Sequence, residues 1–114
     1  MTGSGFGGLS VRQLLARRRR LAAGVADPEG TLRGVLLREG RRCSSAGCRC
    51  RRGELHGPYM YLATYSDRRS RTIYVPAAVQ AVAQEHVEAT QRNEELLAEI
   101  SLINLELLRR RALG

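Results

Sequence analysis

The sequence predicts an α+β fold: an N-terminal helix, a small antiparallel β-sheet with a Cys-rich loop, and a long C-terminal helix. Three observations carry this. Residues 10–23 place apolar side chains at helical spacing, residues 59–75 alternate with a period of two, and residues 77–112 contain neither Gly nor Pro. At 114 residues the chain has room for one small domain. With one Phe, no Trp and four Tyr, its core has to be built from Leu, Val, Ile and Ala. A core that thin commonly relies on a metal, disulfides or a partner chain.

The elements follow in order. Met1–Gly8 is rich in Gly, and residues 1–9 are expected to form a disordered tail. Gly3 to Gly8 spell G-x-G-x-x-G, but a dinucleotide loop needs a strand before it, and only two residues precede this one. Ser10 is placed to cap a helix to about Ala23, with Val11, Leu14, Leu15, Leu21 and Ala22 on one face and Arg17–Arg20 on the others. Gly24 and Asp27-Pro28-Glu29-Gly30 end it. Thr31–Glu39 reads as a short apolar strand or turn. Tyr59–Ser66 then puts Tyr59, Tyr61, Ala63 and Tyr65 on one face, Asp67-Arg68-Arg69 turns the chain, and Ser70–Val75 returns as a second strand. Residues 10–76 thus form a head and 77–112 a helix.

That helix begins after Pro76, a favoured start, and its 36 or so residues reach about 54 Å. Its apolar stripe runs through Val79, Val82, His86, Ala89, Asn93, Leu96, Ile100, Ile103 and Leu107, widened by Leu97, Leu102, Leu105 and Leu108. A stripe so long needs another helix against it. A second copy of the chain is the expected partner, giving a coiled-coil homodimer with His86 and Asn93 setting the register. An intramolecular helical pair with a frayed end is the alternative.

Charge is uneven. The chain carries nineteen basic residues against eleven acids, net +8, and every basic residue is Arg. Residues 1–76 hold fifteen Arg and five acids, whereas residues 77–114 hold four Arg and six Glu. The missing Lys fits a GC-rich genome and is not read as selection for arginine chemistry.

All three cysteines and one of two histidines lie between residues 43 and 56, as Cys43-x4-Cys48-x-Cys50-x5-His56. Three Cys and one His are a standard tetrahedral set for structural zinc. Gly47 is expected to supply a turn at positive φ, Gly53 and Gly57-Pro58 to bring His56 round, and Arg42, Arg49, Arg51 and Arg52 to favour thiolates. One objection stands: residues one apart in an extended chain point to opposite sides, so Cys48 and Cys50 share a metal only if Arg49 sits in a turn. Three idle cysteines without metal, or a redox-active thiol, are the competing readings, the second without an evident Cys/His/Asp arrangement. With all four side chains used, a metal would be closed to substrate.

CRC, HGPYMYL and RTIYVP, in this order and ahead of a long leucine-rich helix, resemble an uncharacterised prokaryotic family described as a domain of unknown function. The resemblance rests on Cys43, Gly47, Cys48, Cys50, His56, Gly57, Pro58, Tyr59, Tyr61, Tyr74, Val75 and Pro76 and covers roughly residues 10–110. Ser44 stands where the family usually has Gly, and Met60 interrupts its tyrosine run. The resemblance implies a shared fold and site. Some members occur near transposases, which suits DNA association and a transposase or other mobile-element partner.

The expected ligand is nucleic acid, DNA in the first place, contacted by Arg41, Arg42, Arg49, Arg51 and Arg52 beside the cysteines, Arg68, Arg69 and Arg71 at the hairpin turn, and Tyr61 between them. A protein-interaction adaptor without metal is the alternative. No enzyme is expected: a nuclease or strand-transfer role for Tyr59, Tyr61 or His56 lacks acids, since residues 41–76 hold only Glu54 and Asp67. No run reaches the roughly 20 apolar residues of a membrane span, and no secretory pattern opens the chain, so a cytoplasmic protein is expected.

Overall fold

The structure, a computed structural model, describes residues 5–114. Its elements are α1 (Val11–Gly24), β1 (Val35–Arg41), β2 (His56–Ser66), β3 (Arg69–Val75) and α2 (Gln80–Arg109), an α+β arrangement. The chain divides into two units: Met1–Glu29 with Ala89–Gly114, and Gly30–Glu88. The first is helical; the second holds the sheet and the first turns of α2.

In the helical unit, α1 starts where its capping residue predicts. Ser10 Oγ accepts from Gln13 N at 3.1 Å and Gln13 Oε1 accepts from Ser10 N at 2.8 Å, a reciprocal capping box that satisfies two otherwise orphan donors. The core joins Phe6, Leu14, Ile103 and Leu107, with Leu9, Val11, Leu15, Leu21 and Ala112 packed around it. Residues 1–4 of the expected tail lie outside the described residues. Phe6, also in that expected tail, is instead 5% exposed, because the only large aromatic hydrocarbon in the chain is worth most inside. Arg110 fixes this entry segment: it donates to Glu106 Oε2 at 2.7 Å, to Leu9 O at 2.6 Å and to Phe6 O at 3.2 Å. Arg17 reaches Glu99 at 2.7 Å, and Arg18 reaches Asn104 at 2.7 Å. Asn93 does not serve as a free seam residue. Its amide donates to Ala26 O at 2.7 Å and accepts from Ala26 N at 3.2 Å, which ties the end of α1 to α2.

In the second unit the sheet order is β1-β2-β3, antiparallel throughout. Asp67 and Arg68 both have positive φ, as a two-residue hairpin turn between right-twisted strands requires. The core face carries Leu36, Met60, Leu62 and Val75, closed by Ala83 and Val87 of α2, with Leu32 alongside. Val79 and Val82, expected on the buried stripe, are 47% and 49% exposed. Ala77–Val79 form a 3-10 turn before α2, and within α2 it is Ala83 and Val87, one position on from the expected stripe, that face the sheet. No helix among the described residues is long and apolar enough to cross a membrane.

Candidate metal centre

The cysteine-rich stretch is the connection between β1 and β2. Their pairing runs from Val35↔Ala63 to Glu39↔Tyr59, slips by a bulge, and closes with Arg41↔His56. His56 is therefore the first residue of β2, opposite a residue only two before Cys43, so the sheet itself brings the outermost two ligands together. Between them, Cys48 precedes a 3-10 turn, Arg49–Arg52, and Arg51 N bonds Cys48 O at 3.1 Å. This is the turn at Arg49 that a shared ligand role for Cys48 and Cys50 requires. The left-handed residue that ends the turn is Gly53, φ 101°, rather than Gly47, whose φ is not positive. Arg51 Nη2 donates to Cys43 O at 3.0 Å and ties the turn back to the strand end.

The result is a cluster in which the donor atoms of Cys43, Cys48, Cys50 and His56 all lie within 4.8 Å of one another. Cys43 Sγ is 3.6 Å from Cys50 Sγ, and Cys48 Sγ is 3.1 Å from His56 Nε2. A tetrahedral zinc, with bonds of about 2.3 Å to sulfur and 2.0 Å to nitrogen, separates two sulfurs by about 3.8 Å and a sulfur from a nitrogen by about 3.5 Å. The two close pairs lie within a few tenths of an ångström of those values. All three cysteines are free thiols, with Cys50 fully buried.

The thiols differ electrostatically. Cys50 is held below the ordinary thiol value: the Cys43 backbone N–H donates to its sulfur at 3.2 Å, which outweighs the opposing effect of burial, and Arg51 adds favourable charge. Cys43 is pushed up: a backbone hydrogen bond from Ser45 lowers it, but the hydrogen bonds to Cys48 and Cys50, together with burial, prevail. The surroundings of Cys50 thus favour the thiolate, the form that binds a metal.

The arginines predicted to contact a ligand are placed unequally. Arg41 stacks over Tyr61 at 4.4 Å and pairs with Glu39 at 3.1 Å. Arg71 pairs with Asp67 at 3.4 Å, and Arg49 with Glu54 at 3.9 Å, both in the open. Arg51 braces the cysteine loop. Arg42, Arg52, Arg68 and Arg69 are exposed and make no ion pair among the described residues. The Cys48–His56 contact, which the sequence does not disclose, lacks the third member of a catalytic triad: no carboxylate among the described residues hydrogen-bonds His56.

The family model described as Domain of unknown function (DUF6788) matches residues 11–85. The chain belongs to that family. The matched segment holds α1, the whole sheet, all four Cys/His side chains and the start of α2. Neither a curated protein nor a solved structure gives a match.

Proposed function

We propose that the chain is a small, zinc-stapled nucleic-acid-binding protein of the cytoplasm, working as a homodimer and without catalysis. The observation that carries this reading is the Cys3His cluster at the mouth of a loop studded with arginines. Thiolates with one imidazole favour zinc over magnesium or calcium, and a complete set of four protein ligands leaves no position for substrate. The metal is then structural. It fixes the connection from Arg42 to Leu55, which has Cys50 as its one buried residue and is otherwise held by a few hydrogen bonds and the Arg49–Glu54 pair. Arg42, Arg52, Arg68 and Arg69, free of ion pairs, are the side chains available to phosphate. The acids near them, Glu54 and Asp67, are already engaged by Arg49 and Arg71.

The dimer rests on a separate observation. Leu97, Leu102, Leu105 and Leu108 are 46–57% exposed and lie on the side of α2 away from the buried Ile103 and Leu107. A second copy of the same helix, offering the same leucines, covers them.

Native mass spectrometry of protein purified without added metal or chelator tests the reading. One zinc per chain, in a dimer, is expected. A metal-free mass that persists after zinc is offered overturns the staple. A monomer leaves the leucines for a different protein and favours an adaptor. Binding to nucleic acid is expected to weaken steeply as salt is raised, since each neutralised phosphate releases counterions.

A further inference from the structure

The chain has five aromatic side chains, and four of them stand together on an exposed face. The strand register decides this. Leu36, Met60, Leu62 and Val75 take the core side of the sheet, so Leu37, Tyr59, Tyr61, Tyr65 and Tyr74 share the other. Tyr65 is 69% exposed, Tyr74 51% and Tyr59 36%. A domain short of aromatic residues has spent its tyrosines outside its core, where they contribute least to stability.

Their arrangement has a use. Tyr74 lies between its neighbours, 6.2 Å from Tyr59 and 5.8 Å from Tyr61 by ring centroid, and Arg41 covers Tyr61. Further along, an open depression of about 450 Å³ lies beside Tyr65, lined by Ser70 and Thr72 from the same face and by Arg33, Thr64 and Arg71 around it. The face is basic at both ends. Arg41 and Arg42 stand where β1 finishes, and Arg68 lies in the β2–β3 turn, followed by Arg69, the first residue of β3, opposite Ser66. From Tyr59 to Tyr65 the strand advances about 20 Å, the length of about six stacked nucleotides of one strand.

We infer that this face binds single-stranded nucleic acid, with bases stacked on Tyr59, Tyr74 and Tyr65 and the backbone running between the two arginine clusters. The inference rests on the nucleic-acid reading above and narrows it. In a duplex the faces of the bases are already stacked on each other, so an aromatic platform has nothing to stack on. In a single strand every base offers a free face, and the platform tolerates any sequence.

The test uses the full-length, zinc-replete protein and fluorescence anisotropy at several salt concentrations. Three labelled probes are compared: a mixed-sequence 12-nucleotide DNA strand, its RNA counterpart and the corresponding DNA duplex. Tighter binding to one or both single strands than to the duplex is expected, and comparison of the two strands identifies the natural sugar. Tyr74→Ala and Tyr65→Ala, both at exposed positions, are each expected to weaken single-strand binding at least about fivefold with zinc content and circular dichroism unchanged. Arg68→Ala/Arg69→Ala weakens binding and flattens its salt dependence. If the duplex binds as well as the strands and the tyrosine variants match the wild type while the arginine variant does not, the stacking platform is refuted and the nucleic-acid reading stands. If no probe binds at low salt, both fall.

Discussion

The two units of this chain reach order by different means. Met1–Glu29 with Ala89–Gly114 is a helical pair that supplies its own core: Leu14, Ile103 and Leu107 are completely buried. Its polar contacts are long in sequence and well made, from Arg110 on Phe6 and Leu9 to Arg17 on Glu99. Gly30–Glu88 buries Met60, Leu62, Val75 and Val87 beneath a three-stranded sheet and carries a long loop with Cys50 as its only buried residue. The comparison teaches where a staple is needed. The helices share an apolar core; the loop between Arg41 and His56 has no apolar cluster of its own, and four donors that could hold a metal ion converge there.

The sharpest way to break that contrast is to deny the Cys3His cluster the metal proposed for it. Chelation, or Cys50→Ser, is expected to release Cys43–His56 while leaving the helical unit folded. Structural zinc contributes about 10–16 kcal/mol of apparent binding energy in zinc-finger peptides at neutral pH, more than any single packing contact here. Hydrogen exchange is the measurement: amide protection should fall over residues 41–60 and persist over 11–24 and 96–108. Loss of protection everywhere would show that the units are not energetically separable.

Ile103→Ala is the converse. It removes a completely buried side chain from the helical core and is expected to cost about 2–5 kcal/mol, a large share of the roughly 5–15 kcal/mol that holds a small domain together. Urea denaturation gives the loss. Zinc stoichiometry, measured on the same variant under native conditions, should stay at one per chain.

The contrast also governs how much was legible in the sequence. Helix α1 and its start at Ser10, the Tyr59–Val75 hairpin and the long helix all follow from local patterns of spacing and capping. The four Cys/His side chains that the structure brings together were legible as a candidate set because three thiols and an imidazole fall within fourteen residues. How they converge was not. It depends on a bulge between Glu39 and Arg41 and on a 3-10 turn at Arg49, features set by pairing with β2 rather than by the residues themselves. The role of Asn93 was hidden for the same reason: its partner, Ala26, is 67 residues away and offers only its backbone. Phe6 was lost to a glycine-rich context that resembles a tail.

A smaller effect separates the units by pH. Glu106 is 6% exposed, and its carboxyl is held below the ordinary carboxylate range, first by the hydrogen bond from Arg110 and then by the charges of Arg109 and Arg110, against the opposing effect of burial. A depressed folded-state value means stability that is fully present above the unfolded carboxylate value and is lost as pH falls through the folded one. Glu106→Gln is therefore expected to lower stability near neutrality and to flatten its dependence on pH in the acid range. Zinc release, which follows protonation of the thiolates, should titrate independently of this substitution.

The smallest effect lies at the capping box. Ser10→Ala deletes the acceptor for Gln13 N and leaves Gln13 Oε1 still able to reach Ser10 N, so one of the two reciprocal bonds survives. The expected loss is about 1 kcal/mol, as for other capping residues. Ser10→Ala/Gln13→Ala removes both bonds, and its cost should fall short of the sum of the single substitutions if the two bonds hold each other in place. Because α1 belongs wholly to the helical unit, neither variant should alter amide protection over β1–β3. A change there would mean that fraying at Ser10 travels into the sheet, and the energetic separation of the helical unit from the sheet unit would have to be given up.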